Sequence, residues 1–95
     1  MAEDLFLYLG TIVKLDARLT RLAVAWTEEG QERTAEVAIG AATSVTRAGK
    51  GVARSELKVG EKVFVIAEIN EYVSLDVPEA TDIMLGRTEW PRNWP

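Results

Sequence analysis

The stretch that decides the fold runs from residue 61 to residue 69 and reads EKVFVIAEI. Every second position is apolar, at Val63, Val65, Ala67 and Ile69. This two-residue period is typical of a β-strand, whose successive side chains point to opposite faces. Phe64 and Ile66 make the other face partly apolar too, so we expect this strand to be covered on both faces.

The same alternation extends towards the N-terminus. Residues 5–16 are predicted to form a half-buried strand whose apolar face is made by the odd positions from Leu5 to Leu15. Gly10, in its middle, indicates a bulge or a sharp bend of the kind that small barrels need. Further strands are predicted at 19–27, 32–39 and 80–86, with a turn at 28–31 in which Gly30 takes a positive φ.

Two segments between the strands are predicted to be irregular. Gly40 is expected to end the third strand, with a short continuation at 43–46 and a loop at 48–51. Residues 55–60 resemble one helical turn, with Ser55 as N-cap, Gly60 as the left-handed exit and Leu57 as an apolar plug for the barrel end.

This order predicts an all-β domain, a small five- to six-stranded OB-like barrel. One short helical turn lies between strands three and four, which favours the OB-like barrel over an SH3-like barrel as the alternative. With 95 residues, the chain has room for a single domain. We assign residues 1–87 to the barrel and 88–95 to a Trp- and Pro-containing tail.

Two motifs resemble a known family. Gly10-Thr11-Ile12-Val13 is similar to its G-T-V opening, and residues 55–63 are similar to its S-x-L-K-V-G-D-x-V segment, with Glu61 in place of the Asp. The chain thus resembles a bacterial family of small OB-like domains of unknown function, often exported or repeated. The resemblance implies the barrel fold and provides no catalytic residue to transfer.

Composition argues against several function classes. The chain has no His and no Cys, which removes the commonest acid–base group, metal ligands and thiol nucleophile. We therefore predict no enzyme and no catalytic, cofactor or metal site. No run approaches the ~20 apolar residues of a membrane helix, so no membrane insertion is expected. The compartment stays open: cytoplasmic if Met1 is the native start, exported if the sequence is a trimmed piece.

Charge is distributed unevenly along the chain. The net charge of −4 disfavours nucleic acid as a partner, because phosphate binding needs cations. Residues 45–62 nevertheless hold five basic residues against two acidic ones. The candidates for contact with an oligonucleotide are Arg47, Lys50, Arg54 and Lys58. No aromatic residue lies between Trp26 and Phe64, so this basic segment lacks stacking groups.

The tail repeats a Trp-Pro pair at Trp90-Pro91 and Trp94-Pro95. Two Trp side chains carry a large apolar area, so we expect them to pack on the same barrel, on a neighbouring subunit or on a separate partner. Trp90 and Trp94 are therefore candidate partner-binding residues. The sequence predicts a non-enzymatic module for protein interaction or structure; the alternative is single-stranded nucleic-acid binding through the basic segment.

Overall fold

The computed structural model describes residues 5–70 and 74–90, which are almost entirely β-strands and tight turns. The elements in these ranges are β1 (Leu5–Leu15), β2 (Arg21–Glu28), β3 (Gln31–Arg47), β4 (Lys50–Gly51), a 3-10 turn (Arg54–Glu56), β5 (Lys62–Asn70) and β6 (Ser74–Leu85). The predicted all-β barrel is confirmed. The short helical turn was expected between the third and fourth strands. It lies after β3 and its short hairpin partner β4, and before β5.

Five long strands close into a ring. β1, β2 and β3 form an antiparallel meander, and β5 returns to pair with the free side of β1. The spatial order β5-β1-β2-β3 is that of a Greek key. β6 completes the ring, antiparallel to β5 and parallel to β3. The parallel pair needs a crossover, which the 3-10 turn and β5 provide.

The pairing of β1 with β5 sets which face of β1 points inward. Tyr8 pairs with Val65 and Phe6 with Ala67, and directly paired residues share a face of the sheet. Val65 and Ala67 belong to the interior cluster. The even positions Phe6, Tyr8 and Ile12 therefore face the interior, and the expected apolar face of odd positions is wrong up to Val13: Leu5 and Val13 are 50% and 44% exposed. After the register shift between Ile12 and Lys14 the phase changes, and Leu15 packs against the core as expected.

β5 is covered on both faces, as predicted. Val63, Val65 and Ala67 lie in the interior cluster. Phe64 and Ile66 point outward and are nevertheless buried, at 0% and 4% exposure. Leu9 and Leu7 of β1 are their cross-strand partners on this outer face.

The third strand does not end at Gly40. β3 continues to Arg47, and its pairing with β6 is irregular between Ile39 and Ser44. The predicted loop at 48–51 is also wrong: Ala48 and Gly49 form a two-residue turn, and Lys50 pairs back with Arg47. Both turn residues have positive φ, at 55° and 82°, the combination that a tight hairpin turn requires.

The helical turn closes one end of the barrel. It begins at Arg54, one residue before the predicted N-cap Ser55. The N-cap position is held by Ala53, and no side chain makes a capping hydrogen bond. Leu57 is 4% exposed and belongs to the interior cluster, so its role as a plug is confirmed. Gly60 has a φ of 96°, in the left-handed region expected for the exit.

Candidate functional site

The barrel has an open seam between β1 and β2. Among the described residues, the pairing of these strands runs from Leu15↔Leu22 to Thr11↔Ala25. Beyond that point, the N-terminal half of β1 pairs with β5 only, and the C-terminal end of β2 pairs with β3 only. We call the gap between residues 7–9 of β1 and residues 26–28 of β2 the seam.

Aromatic rings fill the interior beside the seam. Tyr8 on β1 and Trp26 on β2 face each other with ring centroids 5.4 Å apart, and Phe6 stacks on Tyr8 at 6.4 Å. All three are partly buried against the core. Burial raises the pKa of the Tyr8 hydroxyl above its usual value, so this group is neutral at physiological pH.

Two grooves meet at the seam. One has a volume of about 380 Å³ and lies between the two strands, with Trp90 as an additional wall. The other, about 580 Å³, extends past Gly10 towards Lys62 and Arg87. Both are lined by Leu9, Trp26 and Thr27, so the two grooves are neighbours along the open edge.

Trp90 is the predicted tail residue that the structure places at this groove. Its ring meets Phe64 edge-on, with centroids 5.2 Å apart, an arrangement that favours aromatic pairs. The side chain is still 53% exposed. Trp90 thus covers the outer face of β5 with one part of its ring and presents the rest to the seam. Trp94 lies outside the described residues.

The four basic candidates have different surroundings. Arg47 donates to both carboxylate oxygens of Glu61, at 3.0 and 3.2 Å, and to Glu56 at 3.5 Å. The hydrogen bonds from Arg47 hold the pKa of the Glu61 carboxyl below its usual value. Arg54 donates to the carbonyl of Gly40. Lys50 and Lys58 are exposed.

Sequence reasoning missed Tyr8 and Trp26 as residues of one site. Both lie in strands that were predicted. The alternation of β2 indicated that Trp26 faces inward, since it is in phase with the apolar Leu22 and Val24. The register of β1 against β5, which turns Tyr8 inward, was needed to bring the two rings together.

Within residues 5–70 and 74–90, no group of three or more His, Cys, Asp or Glu side chains is placed to hold a metal ion. In the same ranges, the structure has no helix with the length and apolar character required to cross a membrane. Comparison of the chain with protein-family models, curated proteins and solved structures finds no match.

Proposed function

We propose that this chain is a non-enzymatic protein-interaction module that binds an extended peptide segment of a partner in the seam. The observation that carries the proposal is the gap in the β1–β2 pairing, bordered on both sides by strand backbone and lined by Tyr8, Trp26 and Trp90.

A strand with a partner on one side only directs alternate backbone N–H and C=O groups to its other side. β1 between Leu5 and Gly10 and β2 between Trp26 and Glu28 both have this arrangement at the seam. An extended peptide in the seam can therefore be held by main-chain hydrogen bonds, while the aromatic walls select its side chains.

The finer fold assignment belongs to the same proposal. We take the barrel to be of the OB type, a partly open five-stranded Greek-key barrel. The Greek-key order, the helical turn before β5 and the open seam support this over an SH3-like barrel. Residues 55–63 supply the turn, the Leu57 plug and the start of β5. These are the residues that resemble the S-x-L-K-V-G-D-x-V segment of the family of small OB-like domains.

The alternative function, binding of single-stranded nucleic acid, has less support. Arg47 is engaged by two carboxylates and Arg54 by a backbone carbonyl, which leaves Lys50 and Lys58 as the exposed cations of the four candidates. OB folds commonly bind oligonucleotides on the outer face of strands two and three. Here the paired part of that face carries no aromatic ring for base stacking; its residues are Arg21, Ala23, Ala25, Thr27, Glu32, Thr34, Glu36 and Ala38.

A displayed library of random peptides, selected on the full chain, tests the proposal. Thr27→Arg places a long cation in both grooves without touching the core, and we expect it to weaken the selected peptides at least tenfold. Thr34→Arg, on the outer face of β3, is the matched control and leaves their affinity unchanged. Equal losses in both variants, or no selected peptide, contradicts the proposal.

The same preparation tests the alternative. The binding of a single-stranded oligonucleotide is measured at several salt concentrations, for the unmodified chain and for the Lys50→Ala, Lys58→Ala double variant. Salt-dependent binding that the double variant loses would favour the nucleic-acid function over the peptide function.

A further inference from the structure

The two grooves at the seam differ in charge. Among the described residues, the groove between β1 and β2 is lined by one charged side chain, Glu28, which accepts from the Trp26 indole N–H at 3.4 Å. The neighbouring groove of about 580 Å³ is lined by two cations, Lys62 and Arg87, and by one acidic residue, Glu32. The seam therefore has an anionic end at Glu28 and a net cationic end at Lys62 and Arg87.

The register of β1 against β5 places Lys62 at the inner end of the seam. Lys62 and Thr11 are cross-strand partners, two positions further along β1 than the pair formed by Leu9 and Phe64 on the outer face. The Lys62 ammonium donates to the Thr11 hydroxyl at 3.0 Å, which holds the charge beside β1. An ammonium has three N–H donors, and the described residues engage one of them here, so two can serve a ligand.

The end of β6 brings Arg87 to the same groove. The Gly86 N–H donates to the Lys62 carbonyl at 2.7 Å, so the next residue leaves the sheet beside Lys62. Both basic side chains are exposed, and neither forms an ion pair with the described part of the chain. Because two like charges that line one groove repel each other, a bound anion stabilises the pair.

The distance along the seam sets the spacing in a ligand. Residues 7–9 line the groove between the strands, and Thr11 marks the level of Lys62. At about 3.3 Å per residue, these levels are about 7 to 13 Å apart. Side chains on one face of an extended peptide recur every second residue, so groups two or four residues apart span this distance.

We propose that the partner segment has a carboxylate that binds Lys62 and Arg87, two or four residues from a large apolar side chain that enters the groove between β1 and β2. Glu28 repels a carboxylate at the other end, so the charges also fix the direction of the peptide. The inference rests on the proposed function and specifies the chemistry of its partner. The carboxylate belongs to an Asp or Glu side chain or to the C-terminus of the segment.

Peptides selected on the full chain, from a random library displayed with free C-termini, test this inference. We expect them to have an Asp, a Glu or the C-terminus two or four residues from an aromatic or aliphatic residue. The most enriched peptide is synthesised unmodified, with its acidic residues replaced by Asn or Gln, and with a C-terminal amide. The form that loses about fivefold in affinity identifies the source of the carboxylate. Equal affinities of all three forms overturn the inference.

Protein variants locate the carboxylate. The Lys62→Gln, Arg87→Gln double variant is expected to bind the unmodified peptide about fivefold more weakly and its neutral form equally well. The matched control is the Lys50→Gln, Lys58→Gln double variant, which changes the net charge equally at cations that line neither groove and keeps the preference. Glu32→Gln has the opposite sign and is expected to tighten binding of the unmodified peptide about threefold. A preference for the acidic form that survives neutralisation of Lys62 and Arg87 overturns the assignment.

The proposed function and this inference fail in different ways. Thr27→Arg fills both grooves with its side chain, so it weakens the acidic and neutral forms alike and tests the site itself. Binding that Thr27→Arg weakens, without any preference for the acidic form, keeps the proposed function and overturns this inference. A selection that yields no peptide overturns both.

Discussion

Gly10 lies where β1 crosses β2 at the inner end of the seam. A Cβ atom built there would be 2.1 Å from the carbonyl oxygen of Ala25, a backbone atom that cannot move without shifting β2. We predict that Gly10→Ala lowers the free energy of unfolding by about 3 kcal/mol, measured by urea denaturation. Gly51→Ala is the control, since a Cβ at Gly51 meets nothing within 4 Å. Equal effects of the two substitutions would show that the close crossing does not matter.

A glycine inside an alternating strand indicates a local irregularity, and the sequence predicted one at Gly10. The register shift of β1 lies instead between Ile12 and Lys14, and the pairing with β5 is regular through Gly10. The contact that requires the glycine was not predictable. It depends on the register that brings Thr11 opposite Ala25, and alternation alone does not specify which residues of two strands pair.

At the scale of elements, β3 continues through Gly40, where its pairing with β6 is irregular and a side chain supplies hydrogen bonds to both strands. The hydroxyl of buried Thr43 accepts from the Gly40 N–H at 2.9 Å and donates to the Ala80 carbonyl at 2.6 Å. We predict that Thr43→Val destabilises the protein by about 2 kcal/mol, because it leaves both backbone groups without this partner. Thr43→Ser keeps the hydroxyl and should recover most of that loss. Urea denaturation gives the energies, and faster hydrogen exchange at the Gly40 amide locates the effect. If Thr43→Ser is as destabilising as Thr43→Val, retention of the hydroxyl recovers nothing, and its two hydrogen bonds do not account for the loss.

Strands were more predictable than the links between them. The period of two identified β1, β2 and β5 to within about two residues at each end. It missed the passage through Gly40, where Thr43 and Arg54 hold the backbone of an irregular strand. A side chain that replaces a ladder bond leaves no period in the sequence, so the strand was predicted to stop there.

At the scale of the whole molecule, the barrel was predictable and the seam was not. Five alternating segments and one short helical turn restrict a chain of 95 residues to few architectures. The seam depends on where pairing stops between β1 and β2, and its walls come from residues far apart in sequence, Tyr8, Trp26 and Trp90. The tail was identified from composition alone, since two Trp residues near a terminus need something to pack against.

Acid stability also belongs to the whole molecule, because two carboxylates hold separate parts of the barrel together. Asp16 accepts from the Thr20 hydroxyl and from the backbone N–H groups of Thr20 and Arg21, which orders the β1–β2 turn. Glu61, just before β5, accepts from Arg47 at the end of β3. The Thr20 hydroxyl lowers the pKa of Asp16 from its ordinary 3.8, and Arg47 lowers the pKa of Glu61 from its ordinary 4.5.

Because both pKa values are lower in the folded state, the unfolded chain binds more protons in acid. The stabilisation from these groups is complete above the ordinary values and is lost as the pH falls through the folded values. We predict that the free energy of unfolding, measured in urea between about pH 3 and pH 7, falls steadily on the acid side. Glu61→Gln should lower stability at neutral pH and flatten the acid fall. In an Arg47→Gln background, the same substitution should change the slope much less, because the cation that depresses the pKa of Glu61 is gone. Equal slopes for the unmodified chain and Glu61→Gln would mean that the bridge between β3 and the start of β5 contributes nothing to acid stability.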